Sequence, residues 1–374
     1  MKEEESPVTK PVNVTQSFLP PLEEVTELLK GIWERVYLTN NGPLLLELEQ
    51  KIAQRNRVAE TIAVLNGTIA IELALQAFDI HGEVITTPFT FPATSTAIRR
   101  VGAKPVFVDI DPQTWNIDPE QVGHAITSQT EAILAVHVFS CPCDVVRLQE
   151  IADKHGLKLI YDAAHANFVQ ASGRSIFDWG DCSTTSFHAT KLFHTVEGGA
   201  CFSTNEETRK KLRQLRFFGY DVDKNLTDIG TNAKMTEVSA AIGLINLRYL
   251  DIILEKRKYF HELYLKQLLA QKTLTFQKIN PDEYNYSYFP ILFSDEERLL
   301  EAVRILNDQQ IFPRRYFWPL LSEIPAFRNA GVVGDLSVAK SVASRILCLP
   351  LYPDMQETTV IKITEILTDA IRNR

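Results

Sequence analysis

One segment decides the fold class of this chain: LKLIYDAAHANFVQASGRSIFDWGDCSTTSFHATKLFHTVEGGACF, Leu157–Phe202. It opens with an apolar run, Leu157 to Tyr161, which is too short for a helix and is typical of a buried parallel strand. The run ends on Asp162, at the edge where open α/β sheets bind their ligands. A second short run then ends near Ser186 and Lys191. The segment therefore predicts an acid, a hydroxyl and an amine at one sheet edge.

These three groups suit a cofactor that carries a ring nitrogen, a phosphate and an aldehyde. A pyridinium withdraws electrons only while its nitrogen is protonated, so a buried carboxylate must face it, and Asp162 is the candidate. A lysine amine is nucleophilic only when it is neutral, which burial favours, and Lys191 is the candidate. Taken singly, Asp162 could cap a helix and Lys191 could be a solvated loop residue. The order and spacing of the three residues favour a shared cofactor site over these separate roles.

Composition excludes several classes of function. The 374 residues have a net charge of −8, 45% hydrophobic residues and no basic cluster, which argues against nucleic acid or an anionic membrane as the main partner. No apolar run approaches the ~18 residues of a membrane span. The charged start MKEEESPVTK does not resemble a signal peptide. The sequence therefore predicts a cytoplasmic protein with a small-molecule substrate.

The five cysteines indicate reduced, buried thiols rather than disulfides or a metal site. Their number is odd, and they lie mainly in apolar, strand-like contexts. The pair Cys141-x-Cys143 has no second pair and no histidines at zinc-ligand spacing. We therefore expect no metal in this protein.

Strand-like and helix-like segments alternate through the first two thirds of the chain. Examples are the strand-like run Glu131–Val138, the helix-like run Val145–His155 and the strand that ends at Asp162. This alternation predicts an α/β fold with a mostly parallel sheet covered on both faces. The same pattern suits a nicotinamide-dependent oxidoreductase, but no GxGxxG sequence follows any strand.

The pattern also predicts two domains. Thr231–Leu268 is typical of one long helix, with a possible bend near Gly243. The mixture of strand-like and helix-like segments after this helix indicates a smaller α+β domain. We therefore expect a large α/β domain at 1–250, which begins with a loose N-terminal arm over Met1–Asn13, and a small C-terminal domain at 251–374.

The central segment resembles the DegT/DnrJ/EryC1 family of sugar aminotransferases, which use pyridoxal phosphate (PLP), and the resemblance covers nearly the whole chain. In that family the acid of a DAAH or DAAQ segment pairs with the pyridine nitrogen, as Asp162 would here. The serine of SFHxTK holds phosphate and its lysine binds the cofactor as a Schiff base, which are Ser186 and Lys191. The resemblance implies the PLP-dependent transferase fold of type I, which is aspartate aminotransferase-like, with a mostly parallel central sheet.

Other residues are assigned to the cofactor partly through the same resemblance. Gly67 and Thr68 lie in a strand-turn-helix unit whose free N–H groups would attract a phosphate, although a plain helix cap fits as well. Phe91 matches the aromatic residue that stacks on the pyridine ring, whereas Phe89 is expected in the core. His165 would bond the phenolic oxygen of the cofactor or would simply be packed. Asn232 would reach the phosphate of the neighbouring subunit, which implies a homodimer with shared active sites; the residue could equally cap a helix.

Two segments near the expected substrate position depart from the family. Glycine is usual in the family near Ser140 and near Phe168, in the segment Asn167-Phe168. These departures affect the substrate more than the cofactor. Candidate substrate contacts are His188, Arg315 and Tyr316, because arginine binds diphosphate bidentately and aromatic rings stack on bases. A solvated edge is the alternative for the Arg315 region.

The resemblance implies that the chain moves an amino group from L-glutamate to a nucleotide-linked keto-sugar, through pyridoxamine phosphate (PMP). The segments NAKM, Asn232 to Met235, and HATKLFHTVEGG look most like the members that aminate carbon 4 of dTDP-4-keto-6-deoxyglucose, for surface polysaccharide such as the O-antigen of lipopolysaccharide. Amination of carbon 3, or a UDP- or GDP-sugar, remains open, as does a non-catalytic regulator on the same scaffold. Related dehydratases replace the lysine with histidine, and Lys191 argues against them.

Overall fold

The structure is a computed structural model that describes residues 11–279 and 284–372. Its strands are β1 Val12–Asn13, β2 Ile62–Val64, β3 Glu83–Thr86, β4 Lys104–Phe107, β5 Thr130–Val136, β6 Lys158–Asp162, β7 Gln170–Ala171, β8 Arg174–Ser175, β9 Cys182–Ser186, β10 Gly199–Phe202, β11 Leu274–Phe276, β12 Phe289–Phe293, β13 Ile311–Phe312, β14 Gly331–Val332 and β15 Ile346–Leu349. Its helices are α1 Leu22–Arg35, α2 Pro43–Asn56, α3 Gly67–Ala77, α4 Pro92–Arg100, α5 Pro119–Ala125, α6 Val145–His155, α7 Glu206–Arg216, α8 Glu237–Arg248, α9 Leu250–Leu268, α10 Glu296–Asp308, α11 Ser337–Arg345 and α12 Glu357–Arg372.

The main sheet of the described chain has the strand order β14-β4-β3-β5-β6-β9-β10-β2. Every neighbouring pair from β14 to β9 is parallel, and β10 runs antiparallel to both β9 and β2. The prediction of a mostly parallel sheet in an α/β fold is confirmed. Because the strands from β4 to β9 share one direction, their carboxyl ends meet at one edge.

Apolar side chains cover both faces of this sheet, as the near-continuous apolar strands require. One buried cluster includes Ile133, Leu159 and Tyr161 together with residues of α2, α6 and α8. The cluster on the other face includes Ile160 and Leu134, with residues of α3 and α4. Successive residues of β6 thus alternate between two cores, which fixes the register of the strand and the direction in which its last residue points.

A second sheet, β11-β12-β15, is antiparallel and packs with α9, α10 and α12. A further buried cluster joins it to the main sheet, with Phe89, Phe107 and Phe139 meeting Leu292 and Ile346. The predicted domain boundary at 250/251 falls at the start of α9, and the division itself stays a prediction. Strand β14, from the predicted small domain, nevertheless adds an edge to the main sheet by pairing with β4.

The structure corrects the prediction of one long helix over Thr231–Leu268. Residues 231–236 are not helical, and two helices, α8 and α9, occupy the rest of the range; they are separated at Tyr249 rather than bent at Gly243. Tyr249 leaves helical geometry with φ −97° and ψ 1°, and its hydroxyl and the guanidinium of Arg248 both contact Glu24 of α1. The apolar spacing continues through the break, so the sequence pattern does not reveal it.

The predicted N-terminal arm, Met1–Asn13, lies mostly outside the described residues. Its last part is not loose, because Val12–Asn13 pairs in parallel with Ile311–Phe312. The five cysteines are buried, as predicted, and none forms a disulfide with another cysteine of the described residues. Within residues 11–279 and 284–372, no helix is both long enough and apolar enough to cross a membrane.

Candidate active site

A cavity of about 490 Å³ opens at the carboxyl edge of the main sheet. The ends of β5, β6 and β9, the loop after β3 and the first turn of α3 surround it. The residues predicted for the site that line this cavity are Gly67, Thr68, Phe91, Asp162, His165, Ser186, His188, Lys191 and Tyr316. Residues that are far apart in sequence thus meet in one place because their strands are parallel neighbours.

Asp162, the last residue of β6, is the buried carboxylate of the cavity, with 6% of its surface exposed. Thr94 Oγ1 donates to its Oδ2 (2.8 Å), and the Ala164 N–H donates to its Oδ1 (3.1 Å). Burial raises the pKa of Asp162, while these donors and the positive charge of Lys191 oppose the rise. A cationic partner inside the cavity would therefore stabilise the ionised form of Asp162.

Lys191 lies in the loop after β9, where its N–H donates to the carbonyl of His188 (2.9 Å). Its amine reaches the hydroxyl of Tyr288 (3.4 Å), a residue that sequence reasoning did not select. Burial lowers the pKa of Lys191 to about 8, and the carboxylate of Asp162 opposes this shift. With this pKa, roughly a tenth of the amine is neutral, and nucleophilic, at pH 7.

The first turn of α3 forms an anion-binding cradle with the end of β9. Asn66 caps the helix by accepting the Ile69 N–H (2.9 Å), and the first amides of a helix have no intrahelical acceptor. A Cβ on Gly67 would lie 2.8 Å from Cβ of Ser186, so glycine lets the two backbones approach closely. The Ser186 hydroxyl accepts the His188 N–H (3.3 Å), which leaves its own proton free to donate.

His165 is a neutral imidazole at the wall of the cavity. Its Nδ1 accepts the Phe139 N–H (3.1 Å), so the neutral ring carries its proton on Nε2. Burial lowers the pKa of His165 well below the usual value, and the charge of Lys191 lowers it further. The ring stacks on Phe317, with centroids 6.0 Å apart. The two alternatives for His165 are therefore compatible: the ring is packed, and its Nε2–H remains a donor.

The two phenylalanines of the loop after β3 differ as the sequence predicts. Phe89 is fully buried and contacts Phe139 and Phe317 edge to face. Phe91 lines the cavity and is 59% exposed, so its ring is available to a flat ligand.

Two predicted residues lie outside the lining of this cavity. Arg315 donates to Glu296 (2.7 Å) and to the carbonyl of Ser344 (2.8 Å), so its guanidinium is held within the C-terminal part. Asn232 is exposed, and its Oδ1 accepts a short hydrogen bond from Lys234. Neither residue contacts the site within this chain, and their roles stay predictions.

Sequence reasoning missed two residues that contact the central groups directly. Thr94 is separated from Asp162 by 68 residues, and Tyr288 is separated from Lys191 by 97. Each lies in a segment whose pattern indicates ordinary packing. The available signal was positional: Thr94 lies in the helix that follows the Phe91 loop, which the sequence had already assigned to the site.

Each of the two segments that depart from the family contains a residue whose backbone conformation suits glycine. Ser140 has φ 72° and Phe168 has φ 64°, which is the left-handed region that glycine enters without strain. Local hydrogen bonds hold both residues: the Ser140 hydroxyl donates to the carbonyl of His165, and the Phe168 N–H donates to Asn56 Oδ1 (3.1 Å). The backbone geometry that glycine favours is therefore kept, while the side chains differ.

Comparisons with known proteins agree with this geometry. The model of the DegT/DnrJ/EryC1/StrS aminotransferase family matches residues 21–368. A dTDP-4-amino-4,6-dideoxy-D-glucose transaminase of Shigella dysenteriae is 42% identical over 370 residues, which are 97% of this chain and 99% of that protein.

Solved structures of aminotransferases share the fold. DesI, crystallised in the presence of its TDP-sugar product, superposes with a TM-score of 0.92 at 31% identity, over 98% of this chain and 94% of DesI. NtdA of Bacillus subtilis with bound cofactor PMP superposes with a TM-score of 0.86 at 29% identity, over 94% of this chain and 82% of NtdA. These likenesses confirm the predicted PLP-dependent transferase fold. The chain belongs to the DegT/DnrJ/EryC1/StrS aminotransferase family.

Proposed function

We propose that this aminotransferase uses PLP to move the amino group of L-glutamate to carbon 4 of dTDP-4-keto-6-deoxy-D-glucose. The product would be dTDP-4-amino-4,6-dideoxy-D-glucose. The observation that carries the proposal is the meeting of Asp162, Ser186 and Lys191 in one cavity. The near full-length identity to the Shigella transaminase supports this choice of sugar.

The residues of the cavity fit PLP on three separate counts. The buried carboxylate of Asp162 has donors on both oxygens, and a pyridinium nitrogen would be a cationic partner for it. The cradle of Gly67, Thr68 and Ser186 has room for phosphate only because residue 67 has no side chain. Lys191 would hold the aldehyde carbon. When bound, PLP supplies an electron sink for the carbon from which a proton is removed.

The residues of the chain would bind and orient the reactants and move the proton. Asp162 keeps the ring nitrogen protonated, and Thr94 and the Ala164 amide hold this carboxylate in position. His165 offers its Nε2–H to an oxygen on the same ligand. The neutral Lys191 amine would take the proton from the α carbon of glutamate and would return it to the carbon that carries the amine in PMP. With the keto-sugar, the same amine moves the proton in the opposite direction, which predicts ping-pong kinetics.

We also infer that the enzyme is a homodimer in which Asn232 completes the site of the second subunit. Asn232 is exposed in the isolated chain and contacts no residue of its own cavity. Large apolar residues on α1, just after it and in the 219–230 loop are exposed as well, including Trp33 (67%), Val36 (84%), Val222 (97%) and Ile229 (88%). A second copy of the chain would cover such surfaces.

Mixed dimers test this sharing. Lys191→Ala and Asn232→Ala homodimers are expected to have little activity. Dimers that contain one subunit of each variant have one site with both residues intact. Refolding the two variants together should therefore restore about a quarter of the wild-type rate if the chains mix at random. No recovery in verified mixed dimers would show that Asn232 does not act across the interface.

The reaction itself is tested with purified protein, PLP and a panel of dTDP-, UDP- and GDP-linked keto-sugars. We expect a visible absorbance with PLP that glutamate bleaches, and that Lys191→Ala lacks. NMR of the product should place the new amine on carbon 4 of the dTDP-sugar. Amination at carbon 3, or a preference for UDP- or GDP-sugars, would overturn the substrate assignment. Protein that remains colourless with PLP would overturn the enzyme assignment.

A further inference from the structure

Lys191 has a hydrogen-bond partner that comes from the C-terminal part of the chain. The Lys191 amine donates to the hydroxyl of Tyr288 (3.4 Å) and lies 6.0 Å from the centre of the tyrosine ring. Tyr288 immediately precedes β12 and lines the same cavity. The reactive amine is therefore positioned by a side chain that does not belong to its own loop.

The segment that carries Tyr288 is fixed firmly against the segment that follows Asp162. Asn285 Nδ2 donates to the carbonyls of His165 (2.9 Å) and Asn167 (2.7 Å). The segment is also held by two further bonds. The buried guanidinium of Arg257 donates to the carbonyl of Ser287 (3.1 Å), and the hydroxyl of Tyr284 donates to the carbonyl of Tyr288 (2.9 Å). These bonds leave the backbone of Tyr288 little freedom, so the hydroxyl has a defined position.

The Tyr288 hydroxyl also remains neutral throughout the working pH range. Burial raises its pKa well above the usual range, although the nearby Arg257 opposes this shift. A neutral hydroxyl can accept a hydrogen from the amine of Lys191 and can also donate its own hydrogen to a neutral amine. The contact therefore survives when Lys191 gains or loses a proton.

We propose that Tyr288 is a positioning residue for Lys191: its hydroxyl holds the amine over the reacting carbon while the amine is not bonded to the cofactor. This inference rests on the proposed function. A free lysine side chain samples many rotamers, and a fixed hydrogen-bond partner reduces the range that the amine explores. During the transfer the C–H electron pair stays with the substrate and its conjugated cofactor, and only the proton moves to and from Lys191.

The first test measures the amine without any catalysis. In cofactor-free protein, the rate at which an amine-reactive reagent labels Lys191 is followed by mass spectrometry across pH. The titratable groups facing Lys191 are Asp162, His165 and Tyr288. Because the charged ammonium makes a stronger hydrogen bond to the hydroxyl than the neutral amine does, Tyr288→Phe should lower the apparent pKa of Lys191 by about half a unit or more. An unchanged labelling profile would overturn the proposal.

The second test measures the proton transfer. With bound PLP and glutamate, Tyr288→Phe should slow bleaching about 10- to 100-fold and raise the isotope effect from α-deuterated glutamate. In a Lys191→Ala background with added methylamine, Tyr288→Phe should cause no further loss, because Tyr288 acts through Lys191. An equal loss in both backgrounds would rule out action through the lysine.

Tyr264→Phe is the matched control. Tyr264 is a buried tyrosine outside the cavity lining whose hydroxyl donates to the carbonyl of Pro350 (3.0 Å). Both variants lose one buried hydroxyl and should have similar melting temperatures, but only Tyr288→Phe should change the labelling profile and the isotope effect. If wild-type protein did not bleach with glutamate, the proposed function would fail. If wild type bleaches and Tyr288→Phe behaves like Tyr264→Phe, only the positioning role fails.

Discussion

Thr94 supports Asp162 through a single hydroxyl that has two short contacts. It donates to Oδ2 of Asp162 (2.8 Å) and lies 2.9 Å from the hydroxyl of Thr90. The carboxylate of Asp162 is buried, so no solvent would replace a lost donor at low cost. The strength with which Asp162 holds a pyridinium thus depends on a residue of a different strand-helix unit.

Thr94→Val preserves shape and removes only the hydroxyl. A lost hydrogen bond to a charged group costs roughly 1.5–3 kcal/mol, so PLP should bind about 10- to 100-fold more weakly, as measured by titration of the visible absorbance. Ser95→Ala is the control, because the buried Ser95 hydroxyl has no hydrogen-bond partner among the described residues. Equal PLP affinities in Thr94→Val and wild type would contradict the assigned role of Thr94.

Gly67→Ala tests the cradle at the end of β9. Its new Cβ would lie 2.8 Å from Cβ of Ser186 and 3.2 Å from the Ser186 Cα, so one of the two backbones must move. We expect PLP affinity to fall at least about 10-fold, since the phosphate site depends on this approach. Gly123→Ala, a helical glycine with nothing near the new Cβ, should instead stabilise the protein by up to about 1 kcal/mol. Unchanged affinity in Gly67→Ala would show that phosphate binds elsewhere.

At the scale of elements, an N-terminal strap over residues 12–18 joins the C-terminal part of the chain to the Lys191 loop. Val12 donates to the carbonyl of Gln310 (2.9 Å), and the carbonyl of Val14 accepts the Leu351 N–H (3.0 Å). Farther along, the Ser17 hydroxyl donates to the carbonyl of Ala189 (2.6 Å), and His194 donates to the carbonyl of Phe18 (2.7 Å). The strap therefore contacts the loop on both sides of Lys191.

Ser17→Ala should loosen this loop without altering the cavity. Loss of one hydrogen bond, about 1 kcal/mol, should raise the rate of PLP release roughly 5-fold, measured by transfer of the cofactor to a scavenging apoenzyme. Ser294→Ala also removes one short hydrogen bond, to Asp295 (2.8 Å), but at a position outside the cavity and the strap. The same release rate in both variants would mean that the strap does not hold the loop.

At the scale of the whole molecule, buried histidines make stability depend on pH. Burial lowers the pKa of His137 to about 3 and that of His261 to about 4. A group with a lowered folded pKa stabilises the native state above its unfolded pKa of ~6.5, and this stability is lost as pH falls below that value. As pH falls from 7 to 5, each of these histidines should lower the free energy of unfolding by about 2 kcal/mol. Burial raises the pKa of Asp162, so the contribution of Asp162 to stability changes with pH in the opposite direction.

Urea unfolding of His137→Gln at the two pH values isolates one of these contributions. The variant loses the ring that accepts the Cys143 N–H (3.0 Å), so it should be less stable at pH 7. The decrease in its unfolding free energy between pH 7 and 5 should nevertheless be about 2 kcal/mol smaller than the decrease in the wild type. If the unfolding free energy of His137→Gln changed with pH as much as that of the wild type, the contribution assigned to His137 would be wrong.

How much the sequence predicts depends on the range of the interactions. The strand that ends at Asp162 and the side chains that meet in the cavity follow from local patterns and from the shared direction of parallel strands. The break at Tyr249 does not, because the apolar spacing is the same in a continuous helix. Nor does the placement of Arg315, whose contacts with Glu296 and Ser344 depend on how the C-terminal elements pack.

The sequence by itself determined the α/β class, the family resemblance and the candidate cofactor residues, since these depend on residue type, order and short spacing. Only the tertiary structure decided that Thr94 supports Asp162, that Tyr288 reaches Lys191, and that an N-terminal strap crosses the lysine loop. Those contacts join residues 68, 97 and 172 positions apart. The physical reason is that each is created by the packing of separately formed elements, and no local pattern in the chain records it.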